Sequence, residues 1–391
     1  MTTFPRPRTG PNLADRAGRL AASAAPRRFD WPMLIAVAAL SAIGCLLVWS
    51  ATYDPADPDR ALGYVQRQAA HLAVGTAVLL AVAAVDFRVS RAYAPFVYLA
   101  AVLGLALVLT PVGETINGSR SWLVLGGLQM QPGEVAKLGL VLAAAMLLGE
   151  PRDGEFAPTV RDVLFSLAVL AVPLGLILAQ PDLGTAMVLT GTYLGMLMLS
   201  GAPVWWMAGL VGGGVLAAFS VWWFGLLEDY QLQRFTTFIN PGADPRGAGY
   251  NANQSMIAVG SGGLNGTGLL QGEHTRGRFV PEQHTDFIFT VAGEELGFVG
   301  GIVIIGLLAF VLWRILRTAG RTEEPYARLV CVGAAAWLGF QSLINIGMTL
   351  GVAPITGIPL PFVSYGGTAA VANLAMLGLV LNVHARERGV H

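Results

Sequence analysis

Charge is scarce in this chain. Asp, Glu, Lys and Arg make up 12% of 391 residues, and a single lysine, Lys137, stands among 24 basic side chains. A soluble domain carries about 25% charged residues, so an ordinary water-soluble globule is excluded. No block of basic residues forms a continuous positive surface, which argues against a nucleic-acid partner. Cysteine is nearly absent as well: Cys45 and Cys331 both fall in long apolar runs, where no disulfide or zinc site is implied.

What remains is hydrocarbon. Mean hydropathy is +0.60 and 54% of the residues are apolar. A window of about 19 residues marks ten spans, near 31–51, 66–85, 93–111, 134–149, 162–179, 184–201, 204–226, 287–313, 327–351 and 363–383. Spans of that composition must pair their backbone groups internally. The expected fold is therefore an all-α polytopic membrane protein of about ten transmembrane helices.

Arginine sets the orientation. With the amino terminus inside, the inner segments collect Arg6, Arg8, Arg16, Arg19, Arg27, Arg28, Arg88, Arg91, Arg152, Arg161, Arg314, Arg317, Arg321, Arg328, Arg386 and Arg388. The outer segments hold only Arg60, Arg120, Arg234, Arg246, Arg276 and Arg278. The bias predicts a multi-pass protein of a plasma membrane with both termini cytoplasmic. Residues 1–29, rich in Arg, Pro and Ala, read as a disordered cytoplasmic tail without a cleavable signal pattern. A single transmembrane domain follows over 30–385, and 386–391 form a second cytoplasmic tail.

The connection 227–286 is long enough to demand a role. Phe235, Phe238, Tyr250, Ile257 and Leu264 recur within it, and a Gly-Ser-Gly-Gly-Leu-Asn-Gly-Thr-Gly run requires special backbone angles. It reads as a folded extracytoplasmic cap. At its end, Pro281-Glu-Gln-His284-Thr-Asp286 enters the eighth span, with Glu294 and Glu295 further along. Ionisable groups at such a depth call for a functional explanation.

The motifs together carry a resemblance. Arg120-Ser-Trp122, Gln131-Pro-Gly-Glu134-Val-Ala-Lys137, Gln180-Pro-Asp182-Leu-Gly184-Thr185, Asp229-Tyr-Gln-Leu-Gln-Arg234-Phe, Gly249-Tyr250-Asn-Ala-Asn-Gln254-Ser, Pro281-Glu-Gln-His-Thr-Asp-Phe-Ile-Phe289 and Pro359-Leu-Pro-Phe-Val-Ser364-Tyr-Gly-Gly367 occur in that order. The set closely resembles the SEDS family (shape, elongation, division and sporulation) over roughly residues 31–385, and its wording is nearer the RodA than the FtsW branch. Two positions depart from the family pattern: Gly133 replaces a serine, and Thr368-Ala369 replaces Ser-Ser. The resemblance implies a membrane glycosyltransferase that polymerises lipid II into peptidoglycan strands in cell-wall elongation, with a class B penicillin-binding protein as cross-linking partner.

Such a transfer needs a base for the attacking hydroxyl and cations for the departing pyrophosphate. The family match assigns the essential acidic role to Asp286. The alternative is that Thr285 or Asp286 caps a helix starting at Phe287. Glu134 and Lys137, three residues apart on one helix face, form either an ion pair that locks the bundle or part of a phosphate site. Arg120, Arg234, Arg276 and Arg278 are candidate phosphate forks, or arginines lying among anionic headgroups. Gln254 and Ser364 join the candidate substrate site through the motifs that hold them. His284 could assist Asp286 by a hydrogen bond or stand solvated, Glu294 is expected to line the cavity or pair with an arginine, and Glu295 to pair elsewhere in the bundle. No cofactor is specified; a divalent cation could screen the pyrophosphate, although no familiar carboxylate ligand cluster is present. Two further classes remain: a lipid II flippase or other transporter, with Pro173, Pro354 and Pro359 as helix breakers, and a non-catalytic scaffold of cell-wall enzymes.

Overall fold

The computed structural model describes residues 29–116, 119–125, 128–149, 157–225 and 248–387. The first tail, Arg234, and the cap residues before Ala248 lie outside the described residues.

Three helices open the chain, α1 (Trp31–Thr52), α2 (Pro58–Ala84) and α3 (Phe87–Val108). A small antiparallel sheet follows, β1 (Gly113–Ile116), β2 (Ser119–Leu125) and β3 (Leu128–Met130), in that spatial order. Then come α4 (Pro132–Leu148), α5 (Val160–Leu178), α6 (Leu183–Leu199) and α7 (Val204–Trp223). The described part of the cap holds α8 (Ala248–Ser261) and α9 (Glu273–Arg276), and the chain ends with α10 (Ile288–Glu295), α11 (Gly297–Arg321), α12 (Pro325–Thr349) and α13 (Gly367–Glu387). Among the described residues, seven helices are long and apolar enough to cross a membrane, and α6 and most of α7 form shorter apolar helices. The architecture is the polytopic helical one expected, with the sheet as an addition that hydropathy could not reveal.

Helix starts are written in local chemistry. Asp30, Asp57, Asp86 and Asp182 each accept a hydrogen bond from a backbone N–H of the turn that follows, and Thr159 and Asp162 form a reciprocal capping box. An acid there pairs donors that the helix cannot and meets the positive end of its dipole. Two of these capping carboxylates also form ion pairs, Asp30 with Arg314 at 2.7 Å and Asp86 with Arg386, tying α1 to α11 and α3 to α13. Pro173 lies inside α5, which continues through it, whereas Pro354 and Pro359 fall in the loop between α12 and α13.

The expected eighth span is broken. The chain turns at Leu296–Gly297, where Gly297 adopts φ +67°, a conformation that favours glycine. Carbonyls freed by the break accept from the cap: Thr267 N–H donates to Glu294 O and Gly268 N–H to Glu295 O. A continuous helix over 287–313 is therefore corrected to a short α10 plus a long α11, with loop backbone filling the gap.

Candidate active site

The motifs that hold Gln131, Asp182, Asp286 and Ser364 meet at one end of the bundle. Asp182, at the start of α6, receives hydrogen bonds from Gln131 Nε2 at 3.1 Å and from Thr185 Oγ1 at 2.8 Å. The loop between α12 and α13 lies against the same helix start: a Cβ on Gly184 would stand 2.5 Å from Thr356 O. That loop also meets Asp286. Ser364 closes it from within, its hydroxyl accepting from Leu360 N–H at 2.8 Å, while Gln68 Nε2 of α2 donates to Ser364 O at 3.1 Å. Ser364 is buried, and its hydroxyl accepts within the loop while its O–H remains available to donate.

Asp286 sits in a tight turn rather than on a helix. The carbonyl of Glu282, at φ +51°, accepts from the N–H groups of Thr285, Asp286 and Phe287. The helix starts after Phe287 with no side-chain cap, so neither Thr285 nor Asp286 is a capping residue. The Asp286 carboxylate is half-buried, and no hydrogen bond reaches it from the described residues. Burial pushes its pKa up to about 7, and the negative charges of Glu282 and Asp182 add to the rise. A carboxylate poised near neutrality is a group fit to take a proton.

His284 does not assist it. Its ring packs edge-on against Tyr64 at 5.1 Å and lies 5.7 Å from Tyr365, and its backbone oxygen accepts from Tyr365 N–H at 3.0 Å. Burial depresses its pKa, and the opposing charge of Glu282 does not reverse the shift. The residue is an aromatic spacer between α2 and the loop.

Glu134 and Lys137 are 2% and 1% exposed, with Lys137 Nζ 2.7 Å from Glu134 Oε1. Lys137 also donates to Gln341 Oε1 at 2.9 Å and stands 4.9 Å from the centre of a Trp337 ring. Neither side chain opens onto the recess at Asp286, so the phosphate-site alternative gives way to the structural pair. Glu294 is corrected in the same sense. Its carboxylate accepts from His274 N–H, Thr275 N–H and Thr275 Oγ1 at 2.7–2.8 Å, which pins the short α9 onto α10; it neither lines a cavity nor meets an arginine. Glu295 does pair elsewhere in the bundle, accepting from Ser50 Oγ of α1 at 2.6 Å and from Leu270 N–H at 3.2 Å.

The arginines divide. Arg120 donates to Gly113 O and Thr110 O and so ties β2 to the chain leaving α3. Arg278 is exposed and pairs with Asp54 at 3.2 Å; Arg276 is exposed beside it, and Gln254 is half-buried on α8. Arg67 of α2 escaped the sequence reading because it lay inside a span. It is exposed and hydrogen-bonds Tyr365, on the helix face that also carries Tyr64, Gln68 and His71. The helical spacing of those polar residues was the signal available. Among the described residues, no group of three or more His, Cys, Asp or Glu side chains is placed to hold a metal ion.

Known proteins resemble this chain along most of its length. The chain is 35% identical over 359 residues to the peptidoglycan glycosyltransferase MrdB of Escherichia coli K12, covering 92% of this chain and 94% of that one. It is 35% identical over 362 residues to the stage V sporulation protein E of Bacillus subtilis 168, covering 92% and 98%. Among solved structures, it superposes on the rod shape determining protein RodA of Thermus thermophilus with a TM-score of 0.67 at 35% identity, over 91% of this chain and 96% of that one. A chain from a peptidoglycan synthase complex that coordinates polymerization and crosslinking superposes with a TM-score of 0.78 at 35% identity, over 92% and 98%. The family model for the FtsW, RodA and SpoVE cell cycle proteins matches residues 31–389, and the chain belongs to that family.

Proposed function

We propose that this protein is a peptidoglycan glycosyltransferase that polymerises lipid II into glycan strands, with Asp286 as general base. The observation that carries the reading is the Asp286 carboxylate itself: without a hydrogen bond from the described residues, half-buried and raised to about 7, in the turn that joins the cap to the bundle. An acceptor sugar hydroxyl gives its proton to Asp286 as its oxygen bonds to the donor's anomeric carbon. The bond from that carbon to the lipid-linked pyrophosphate breaks, and the electron pair leaves with the phosphate. Loss of a general base costs about 10²–10⁴ in rate. Among the described residues, Arg67, Arg276 and Arg278 are exposed cations that a leaving pyrophosphate can meet.

A class B penicillin-binding protein is the proposed partner, as a transpeptidase that cross-links the strands, and the bacterial plasma membrane the proposed site with both termini cytoplasmic. The transporter reading is weakened by the broken helix, because the carbonyls exposed between α10 and α11 already accept from the cap instead of facing an ion. The test is lipid II polymerisation by the purified protein, alone and with its transpeptidase, beside Asp286→Asn. Strands from the native protein and none from a folded Asp286→Asn protein are expected; strands from both would remove Asp286 as the base.

A further inference from the structure

Two neutral amides on one turn of α12 hold the ground beneath Asp286. Asn345 Nδ2 donates to Asp286 O at 2.7 Å and to Ile358 O at 2.7 Å, joining the turn that carries the carboxylate to the loop that faces it. One turn earlier, Gln341 Nε2 donates to Pro359 O at 2.8 Å. Both side chains are fully buried. Their orientations are not interchangeable. Two carbonyls require a donor from Asn345, so its NH₂ must face them, and Asn345 Oδ1 is left with no partner. Gln341 Oε1 accepts from Lys137 Nζ at 2.9 Å and from Trp337 Nε1 at 2.8 Å, which aims its NH₂ at Pro359. A buried acceptor left unpaired is costly, and a structure tolerates it when the other half of the amide is needed where it is.

We propose that Asn345 is a positioning residue for the transfer reaction, clamping the Asp286 backbone to Ile358 so that the carboxylate stays pressed into the recess beside Gly357. Lys137 supports the same loop from α4 through Gln341, so the charge of the buried pair orients an amide instead of touching substrate. The proposal rests on Asp286 being the base only for its effect on turnover; the clamp itself is a claim about where the carboxylate is held. Without the clamp, the turn that carries Glu282, His284 and Asp286 loosens and Asp286 gains water, while Asp182 keeps its place at the start of α6.

The test uses the full-length protein in lipid nanodiscs and two readouts. Dicyclohexylcarbodiimide modifies protonated carboxyls in apolar surroundings, so labelling of the Asp286 peptide against pH, followed by mass spectrometry, reports the titration of that carboxyl whether or not it is the base. Turnover of lipid II against pH reports the reaction. Native protein is expected to lose labelling with a midpoint near 7. In Asn345→Ala, and in Asn345→Leu, which keeps the side-chain volume and guards against a collapsed cavity, the midpoint should fall by about one unit or more toward the ordinary carboxylate value. Turnover at pH 7 should drop by about tenfold or more while KM for lipid II stays within about twofold. A labelling midpoint unchanged in both variants, with turnover falling only as the folded fraction falls, would overturn the clamp. A shifted midpoint with turnover unaffected would uphold the clamp and instead remove Asp286 as base.

Discussion

Asp286 Oδ2 lies where a Cβ on Gly357 would approach within 3.3 Å, and Gly357 itself has φ +71°. The missing side chain is what lets a carboxylate and a backbone loop share the recess. A second left-handed residue, Phe362 at φ +66°, lies further along the same loop. Such conformations persist where surrounding contacts over-determine them, here through Asn345, Gln341 and Gln68.

Gly357→Ala is expected to cost about 1–2 kcal/mol in backbone strain and to press a methyl group onto Asp286. Turnover should fall several-fold, with the thermal midpoint lower by a few degrees. Steady-state polymerisation and a thermal melt check both, and native turnover in the variant would show that the loop yields freely.

The pH profile of polymerisation should rise with a slope of about one below pH 7 and flatten above it, because a base must be ionised and Asp286 titrates at about 7. Stability runs the other way. A carboxyl whose folded pKa is raised contributes stability that is fully present below its unfolded value and lost as pH rises through about 7. Asp286→Asn removes that loss, so its melting temperature relative to the native protein should climb between pH 5 and pH 8. A difference that does not change with pH would mean the carboxyl is unshifted.

The Glu134 and Lys137 pair should behave as a unit. Each single change, Glu134→Gln or Lys137→Met, leaves a charge in the bundle interior and should destabilise by about 3–5 kcal/mol, more than the double change does. Unfolding measured in a double-mutant cycle should give a coupling of about 1 kcal/mol or more. Additive losses would point to independent roles.

Glu294→Gln replaces an acceptor by a donor facing Thr275, and two of the three bonds that hold α9 go to the oxygen nearest that residue. Hydrogen exchange over residues 270–283 should quicken by about tenfold, with little change in α12. Unaltered exchange would show that Ser50 and Glu295 hold this segment by themselves.

Leu264 is 71% exposed in the described part of the cap. A cysteine placed there should react with a membrane-impermeant maleimide from outside intact cells. Labelling only after the cytoplasmic face is opened would invert the topology that the arginine distribution predicts.

The spans and the acidic stretch ending at Asp286 were legible in the sequence because each is a local property. Hydropathy over about 19 residues finds a span, and the ordered motifs find the family, whereas the cap expected at Thr285 or Asp286 is absent. The break at Gly297 was not legible: an apolar run reads alike whether or not loop backbone from Thr267 and Gly268 arrives to pair its carbonyls. Glu294 looked like a cavity acid for the same reason, since its partners lie on α9, whose position depends on the folded cap. Gln341 and Asn345 carry no charge and disturb no hydropathy window. Only the packing of α12 against α4 and the loop before α13 makes one a relay from Lys137 and the other a support under Asp286. Sequence alone determined which stretches must be hidden from water and which ends of them carry the positive charge. Tertiary structure decided which buried polar groups meet, because inside a bilayer a hydrogen bond between distant segments leaves no periodic trace along the chain.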